Sequence, residues 1–222
     1  MNQRPIVLLL IPHLGGGGAE RVTELLARGL SAAKYEVHLG LITQATPGQE
    51  PLPPWVHFHG LGAKRVRTSA FRLLRLIHQL QPDVVLSSMA HLNFLVLLLR
   101  PFFPRKTRVL VRQNGTVTHE IDGRPASCTR LLYRLLYPRA DRIVCQTWSM
   151  QSEMAELLGT TNHLRILPNP MDIDAIRAAP RPTPVQSSGP GPHLLAVGRL
   201  SAEKGFDFLL EAFKSVDRKS VV

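Results

Sequence analysis

Cysteine is scarce: the 222 residues hold only Cys128 and Cys145. Two cysteines cannot build the disulfide framework of a small secreted domain, and their spacing fits no zinc pattern, so both thiols are expected to be free and buried. Long apolar runs are missing as well. The run Ile6 to Ile11 stops at Pro12 and His13, short of the roughly 7–15 apolar residues of a signal-peptide core. Leu92 to Leu99 (LNFLVLLL) falls far below the ~20 residues that cross a bilayer. The first reads as a strand and the second as a buried helix, and the expected location is cytoplasmic. Acids are in deficit, with 16 Asp and Glu against 27 Lys and Arg, a formal net charge of +11. Between Pro51 and His119 ten basic residues stand against one acid, Asp83. Such a region suits nucleic acid, an acidic membrane or a phosphorylated substrate, or is an ordinary solvated basic surface. No recognition-helix, zinc or RNA-binding motif is visible, which argues against nucleic acid. The carboxylate clusters that a hard metal ion requires are also missing, so neither a metal nor another cofactor is expected.

What is present is an alternation of aliphatic runs with helical patterns. Hydrophobic residues make up 44% and charged residues 19%, a globular composition. Strands are expected at Arg4–Ile11, Glu36–Thr43, Trp55–His59, Asp83–Ser88, Thr107–Arg112, Asp141–Gln146 and His163–Leu167. Helices are expected at Ala19–Ala33, Ser69–Leu80, His91–Leu99, Ser127–Leu136 and Ser149–Leu158, where apolar residues recur at helical spacing. Continuously apolar strands alternating with helices predict an α/β fold, a Rossmann-like parallel sheet with helices on both faces. This domain should span residues 1–177. Proline, serine and glycine then dominate a linker at 178–192. A strand at His193–Val197 and a helix at Lys204–Val216 begin a second Rossmann-like domain at 193–222, which the sequence leaves truncated. No internal repeat is evident.

Four consecutive glycines, Gly15 to Gly18, follow the first strand and open the first helix. Glycine costs backbone entropy, so such a cluster marks a tight turn or a ligand approaching the backbone. The dinucleotide fingerprint needs an acid at the end of the second strand, where this chain has Leu41, Ile42, Thr43 and Gln44. The P-loop needs Lys and Ser or Thr after the last glycine, where this chain has Ala19 and Glu20. What remains is an anion site at a helix N-terminus, or a tight turn with spare glycines. A second candidate is VGRLSAEKGFDFLLEAF, Val197 to Phe213, where Arg199 follows a strand and Lys204 opens a helix. Cations at a helix N-terminus oppose its dipole, a local cost that makes sense where an anionic ligand binds.

The segments GGAER (17–21), YPRADRIVCQTWSM (137–150), RILPNPMDID (165–174) and VGRLSAEKGFDFLLEAF (197–213) occur in the order found in family 4 retaining glycosyltransferases of the two-domain GT-B architecture. The chain resembles that family over nearly its whole length. The resemblance implies a nucleotide-sugar donor bound mainly by the C-terminal domain, a saccharide or lipid-linked acceptor bound mainly by the N-terminal domain, and catalysis between them. In that reading Gly16, Gly17, Gly18, Arg199 and Lys204 bind the donor, with the Arg/Lys pair stabilising the departing diphosphate. Arg112 and Gln113 would contact the acceptor, and His91 and Asn114 are the candidate catalytic residues. His91 is equally a polar helix start. Many relatives carry His or Glu where this chain has Gln113, and an amide cannot titrate, whereas Asn114 can hydrogen-bond a sugar hydroxyl. Asn169, between two prolines, is read as fixing a turn.

The segment Arg100–Arg108 (RPFFPRKTR) reads as either a peripheral contact with an anionic membrane or an ordinary surface loop. The expected activity is sugar transfer with retention, in envelope polysaccharide or lipopolysaccharide assembly. The donor-binding glutamate pair of the family would lie beyond Val222, so this length of chain is expected to be inactive alone. The competing expectation is a non-catalytic module that binds an acceptor or a phosphate without a donor domain.

Overall fold

The computed structural model describes residues 4–15, 17–43, 52–117, 126–180, 194–198, 200 and 202–217. It divides into two compact units, Met1–Arg177 and Ala178–Val222. In the first unit seven strands form one sheet: β1 (Ile6–Ile11), β2 (Glu36–Leu41), β3 (Val56–Gly60), β4 (Val84–Ser88), β5 (Arg108–Arg112), β6 (Arg142–Cys145) and β7 (Leu164–Ile166). All pairs are parallel, in the order β3-β2-β1-β4-β5-β6-β7. β1 is apolar at every position because both its faces are covered. Val7, Leu9 and Ile11 pack with Leu39 and Ala27 on one side, while Leu8 and Leu10 pack with Leu73, Ile77 and Val85 on the other.

Helix α1 (Gly18–Gly29) covers the first face. The second is covered by α2 (Ala70–Leu80), α3 (Ala90–Leu99), α4 (Ala126–Leu136) and α5 (Trp148–Leu158). Helix α3 is apolar all round; Leu92, Val96 and Leu97 face the sheet and Leu98 faces out. Helix α5 starts where the Thr147 hydroxyl accepts from the Met150 N–H at 3.2 Å, and it ends at Gly159 with φ 69°, a left-handed stop suited to glycine. A six-residue helix α6 (Ile173–Ala178), which the sequence reading omits, begins where Asp172 Oδ1 accepts from Ala175 N at 2.9 Å.

Three expectations are corrected. Cys145 is buried, and burial pushes its thiol up to about 11, but Cys128 is exposed on the outer side of α4, whose inward stripe is Thr129, Tyr133 and Leu136. Leu194–Val197 do not form the expected strand; a strand needs a neighbour for its N–H and C=O groups, and the described residues of the second unit supply none. Helix α7 (Phe206–Asp217) starts two residues after Lys204, which lies in a preceding 3₁₀ turn, Ala202–Lys204.

Part of Arg100–Arg108 holds the amino edge of the sheet, while Phe102, Arg105 and Arg108 are exposed. Arg100 pairs with Asp141 at 2.8 Å, Phe103 is buried, and Lys106 pairs with Asp83 at 3.2 Å. Both aspartates also accept strand N–H groups, from Val109 and Ile6. Among the described residues no helix is long and apolar enough to cross a membrane.

Candidate functional site

The strand order reverses between β1 and β4, and ligands of open α/β sheets bind outside the carboxyl ends of the strands at such a crevice. The chain leaves β4 through Met89, whose φ of 77° and ψ of 129° lie in a region that bulky residues avoid. Backbone strain of this kind costs about 1–3 kcal/mol and concentrates where function needs a fixed geometry. Met89→Gly relieves it and Met89→Ala does not. The glycine variant is therefore expected to be more stable than the alanine variant by about 1 kcal/mol in urea unfolding. A glycine variant less stable than the alanine variant would mean that Met89 carries no strain.

Across the crevice, the loop out of β1 is organised by Glu20. This carboxylate is buried, 3.2 Å from His13 Nε2, and folded back over the helix start. A Cβ on Gly17 would lie 2.3 Å from Glu20 Oε2, so a side chain there would displace the Glu20 carboxylate. A Cβ on Gly18 would meet nothing within 4 Å. Gly18 is exposed, so a side chain there would point into solvent. Gly16 lies outside the described residues.

The densest polar cluster sits at the ends of β5, β6 and β7. Arg112 closes β5, is only 3% exposed, and donates to Asn114 Oδ1 and Asn169 Oδ1. Among the described residues no carboxylate pairs with it. Burial lowers its guanidinium to about 10, still fully charged at neutral pH. A buried cation held by neutral amides is a net expense to the fold. The arrangement also leaves the Asn114 amide NH₂ buried with no hydrogen-bond partner. A buried cation and an unspent donor side by side match the chemistry of an anionic or hydroxyl-rich group.

Gln113 is directed differently. Its side chain is enclosed, accepting from the Tyr137 hydroxyl at 2.9 Å and donating to the Tyr133 hydroxyl at 3.0 Å and to Gly115 O at 3.1 Å. Asn93 extends the network, donating to Arg112 O at 3.0 Å and to the Tyr137 hydroxyl at 3.2 Å. Gln146 ties β6 to it by donating to Gln113 O at 3.2 Å. Gln113 thus anchors the strand end that presents Arg112 and Asn114. Sequence reasoning missed Asn93, Tyr133 and Tyr137. The signal available was Asn93 itself, a lone amide within an apolar helix that had to find a partner. Asn169, read as a turn residue, is the group that joins Arg112 to the loop after β7.

His91 lies in the first turn of α3 and is exposed. It lines a groove of about 830 Å³ together with Phe94, Leu95 and Leu98 of α3, Leu132 and Leu135 of α4, and a rim that includes Arg65, Arg67 and Arg139. Arg112, Gln113 and Asn114 do not line this groove, so the two candidate catalytic residues, His91 and Asn114, are not gathered in one pocket. In the second unit Lys204 is exposed, and its Cγ lies 3.5 Å from where a Gly198 Cβ would stand. Arg199 lies outside the described residues.

Residues 16–175 match the model of Glycosyltransferase Family 4. The chain belongs to this family. The match contains Gly17, Gly18, His91, Arg112, Gln113 and Asn114, while Arg199 and Lys204 lie beyond it. Solved structures with the same fold include HepE from Anabaena with UDP and glucose bound (12% identity, TM-score 0.59, 77% of this chain and 46% of that one). Others are sucrose-phosphate synthase from Thermosynechococcus elongatus (12%, 0.60, 74% and 48%) and the lipopolysaccharide outer core galactosyltransferase WaaB (12%, 0.56, 76% and 46%). At these identities the likeness shows the fold, the α/β Rossmann-like sheet of GT-B enzymes, and the chain spans about half the length of each. No curated protein matches it in sequence. In this family 4 chain the RILPNPMDID segment supplies Asn169, and YPRADRIVCQTWSM supplies the Tyr137, Gln146 and Thr147 contacts described above.

Proposed function

We propose that this chain is the acceptor side of a retaining glycosyltransferase. The enzyme moves a hexose from a nucleotide sugar to a saccharide or lipid-linked acceptor, in envelope polysaccharide or lipopolysaccharide assembly at the cytoplasmic face of a membrane. The observation that carries this is Arg112, a buried guanidinium without a carboxylate partner among the described residues, beside the unspent amide of Asn114 at the carboxyl edge of the sheet. In this reading Arg112 and Asn114 hold the acceptor next to the bond being formed. Gln113 is a positioning residue, and His91 lies where the acceptor enters. In the same reading Gly18, at the start of α1, and Arg199 and Lys204 of the second unit are donor-binding residues, the two cations stabilising a departing diphosphate. UDP-glucose, bound by HepE, is the first donor to try. The apolar groove with its arginine rim supports a lipid-linked acceptor, because it offers aliphatic contact and charge to a phosphate-bearing chain.

The test uses the protein expressed from the whole reading frame that contains this sequence, with a panel of nucleotide sugars. Release of nucleoside diphosphate that rises with a saccharide or lipid-phosphate acceptor is expected. If no donor is turned over and calorimetry detects no donor binding, while a phosphate-bearing acceptor still binds, the chain is a binding module and the transferase reading fails.

A further inference from the structure

Away from the carboxyl edge, four ionisable side chains gather across β2 and β3. These strands pair with His38 opposite His57 and Gly40 opposite His59, and the two-residue period places Glu36, His38, His57 and His59 on one face. His38 is buried, Glu36 half-buried and His57 exposed. The His38 ring is stacked between its neighbours, with centroids 4.8 Å from His57 and 5.1 Å from His59. Both its nitrogens are engaged: Nε2 lies 3.0 Å from Glu36 Oε1 and Nδ1 lies 2.8 Å from His59 Nε2. One ligand atom each from Glu36, His38 and His57 falls within 4.8 Å of the others.

Three imidazoles and a carboxylate collected on two adjacent strands are not what an edge strand needs for pairing. Two imidazole nitrogens and a carboxylate oxygen are a donor set for a borderline divalent ion such as zinc. A metal-bound imidazole characteristically has its second nitrogen held by an outer hydrogen-bond partner, which is the place His59 takes on His38. We propose that Glu36, His38 and His57 bind a zinc-type divalent ion that clips the edge strand β3 to β2, with His59 as the positioning residue that orients His38. The ion takes the place of the proton between His38 Nε2 and Glu36, and that proton leaves to solvent. The exposed His57 ring turns inward to close the site. A clip here has a physical purpose, because β3 is an outer strand of the sheet in which only Val56 is buried. This inference does not depend on the transferase reading.

Calorimetric titration of the full, tag-free chain with zinc chloride at pH 7.5 tests it, in a Cys128→Ser background because that thiol is exposed. One ion per chain and a rise in Tm are expected. His57→Ala, a surface change confirmed as folded by circular dichroism, is expected to weaken affinity at least tenfold, and Glu36→Gln likewise. His59→Ala should weaken it about 10–100-fold with all three ligands still in place. The proposal is overturned if zinc gives neither heat nor a shift in Tm, or if it binds with the same affinity after both His57→Ala and Glu36→Gln.

Discussion

Arg112→Leu is expected to cost the complete enzyme on the order of 100-fold in kcat/KM for sugar transfer while leaving the unfolding free energy within about 1 kcal/mol of the parent. The two halves of this result have one cause. The guanidinium is buried against Asn114 and Asn169 with no carboxylate partner among the described residues. Its desolvation is therefore met only by neutral hydrogen bonds, and an apolar side chain removes that cost. The amide oxygens released by the change are reachable by water on the Asn169 side, since Asn169 is exposed. Activity has no such compensation, because nothing else described on the β5 end presents a cation. Urea unfolding and steady-state kinetics on the same preparation decide the matter. A loss of several kcal/mol with unchanged turnover per folded molecule would make Arg112 a structural residue.

Gln113→Glu is expected to destabilise the fold by about 3 kcal/mol at pH 7.5, with most of the loss recovered at pH 4. The amide donates to Gly115 O and the Tyr133 hydroxyl and accepts from the Tyr137 hydroxyl. A carboxylate keeps the acceptor role but turns the Gly115 contact from attraction to repulsion, in a site that is 1% exposed. Burial raises the folded-state pKa of the new acid above its unfolded value of about 4.3. The penalty is therefore absent below about pH 4, grows as pH rises through that value, and reaches its full size once pH exceeds the raised folded pKa. Urea midpoints at pH 4 and pH 7.5, for parent and variant, give the difference. A penalty that does not change with pH would show that the new side chain escapes to solvent, and that the network is looser than its hydrogen bonds indicate.

Much of the architecture was legible because its cause is local. Runs such as IVLLLI are apolar without alternation, which a sheet covered on both faces explains. The helices declared themselves by spacing, but their ends did so less well: the first, expected to run to Ala33, stops at Gly29, and the Thr147 and Gly159 caps emerged only in the structure. The reading failed where the cause was not local. Leu194–Val197 has the composition of a strand, but pairing requires a partner that composition does not supply. Cys128 lies among residues of mixed polarity, and only the rotation of α4 against the sheet put Thr129 inward and Cys128 outward.

The candidate site divides along the same line. The sequence by itself determined the α/β class, membership of the family through ordered motifs, and the set of residues at the strand ends, because these depend on side-chain type and short-range periodicity. Tertiary structure alone decided what those residues do. It turned Gln113 inward to two tyrosines, left Arg112 charged and unmatched beside Asn114, filled the space at Gly17 with Glu20 and left that at Gly18 open. It also brought His38 and His57 opposite one another on neighbouring strands. Such outcomes depend on which distant groups share one small volume, and there desolvation and hydrogen-bond geometry, not residue identity, set the energy.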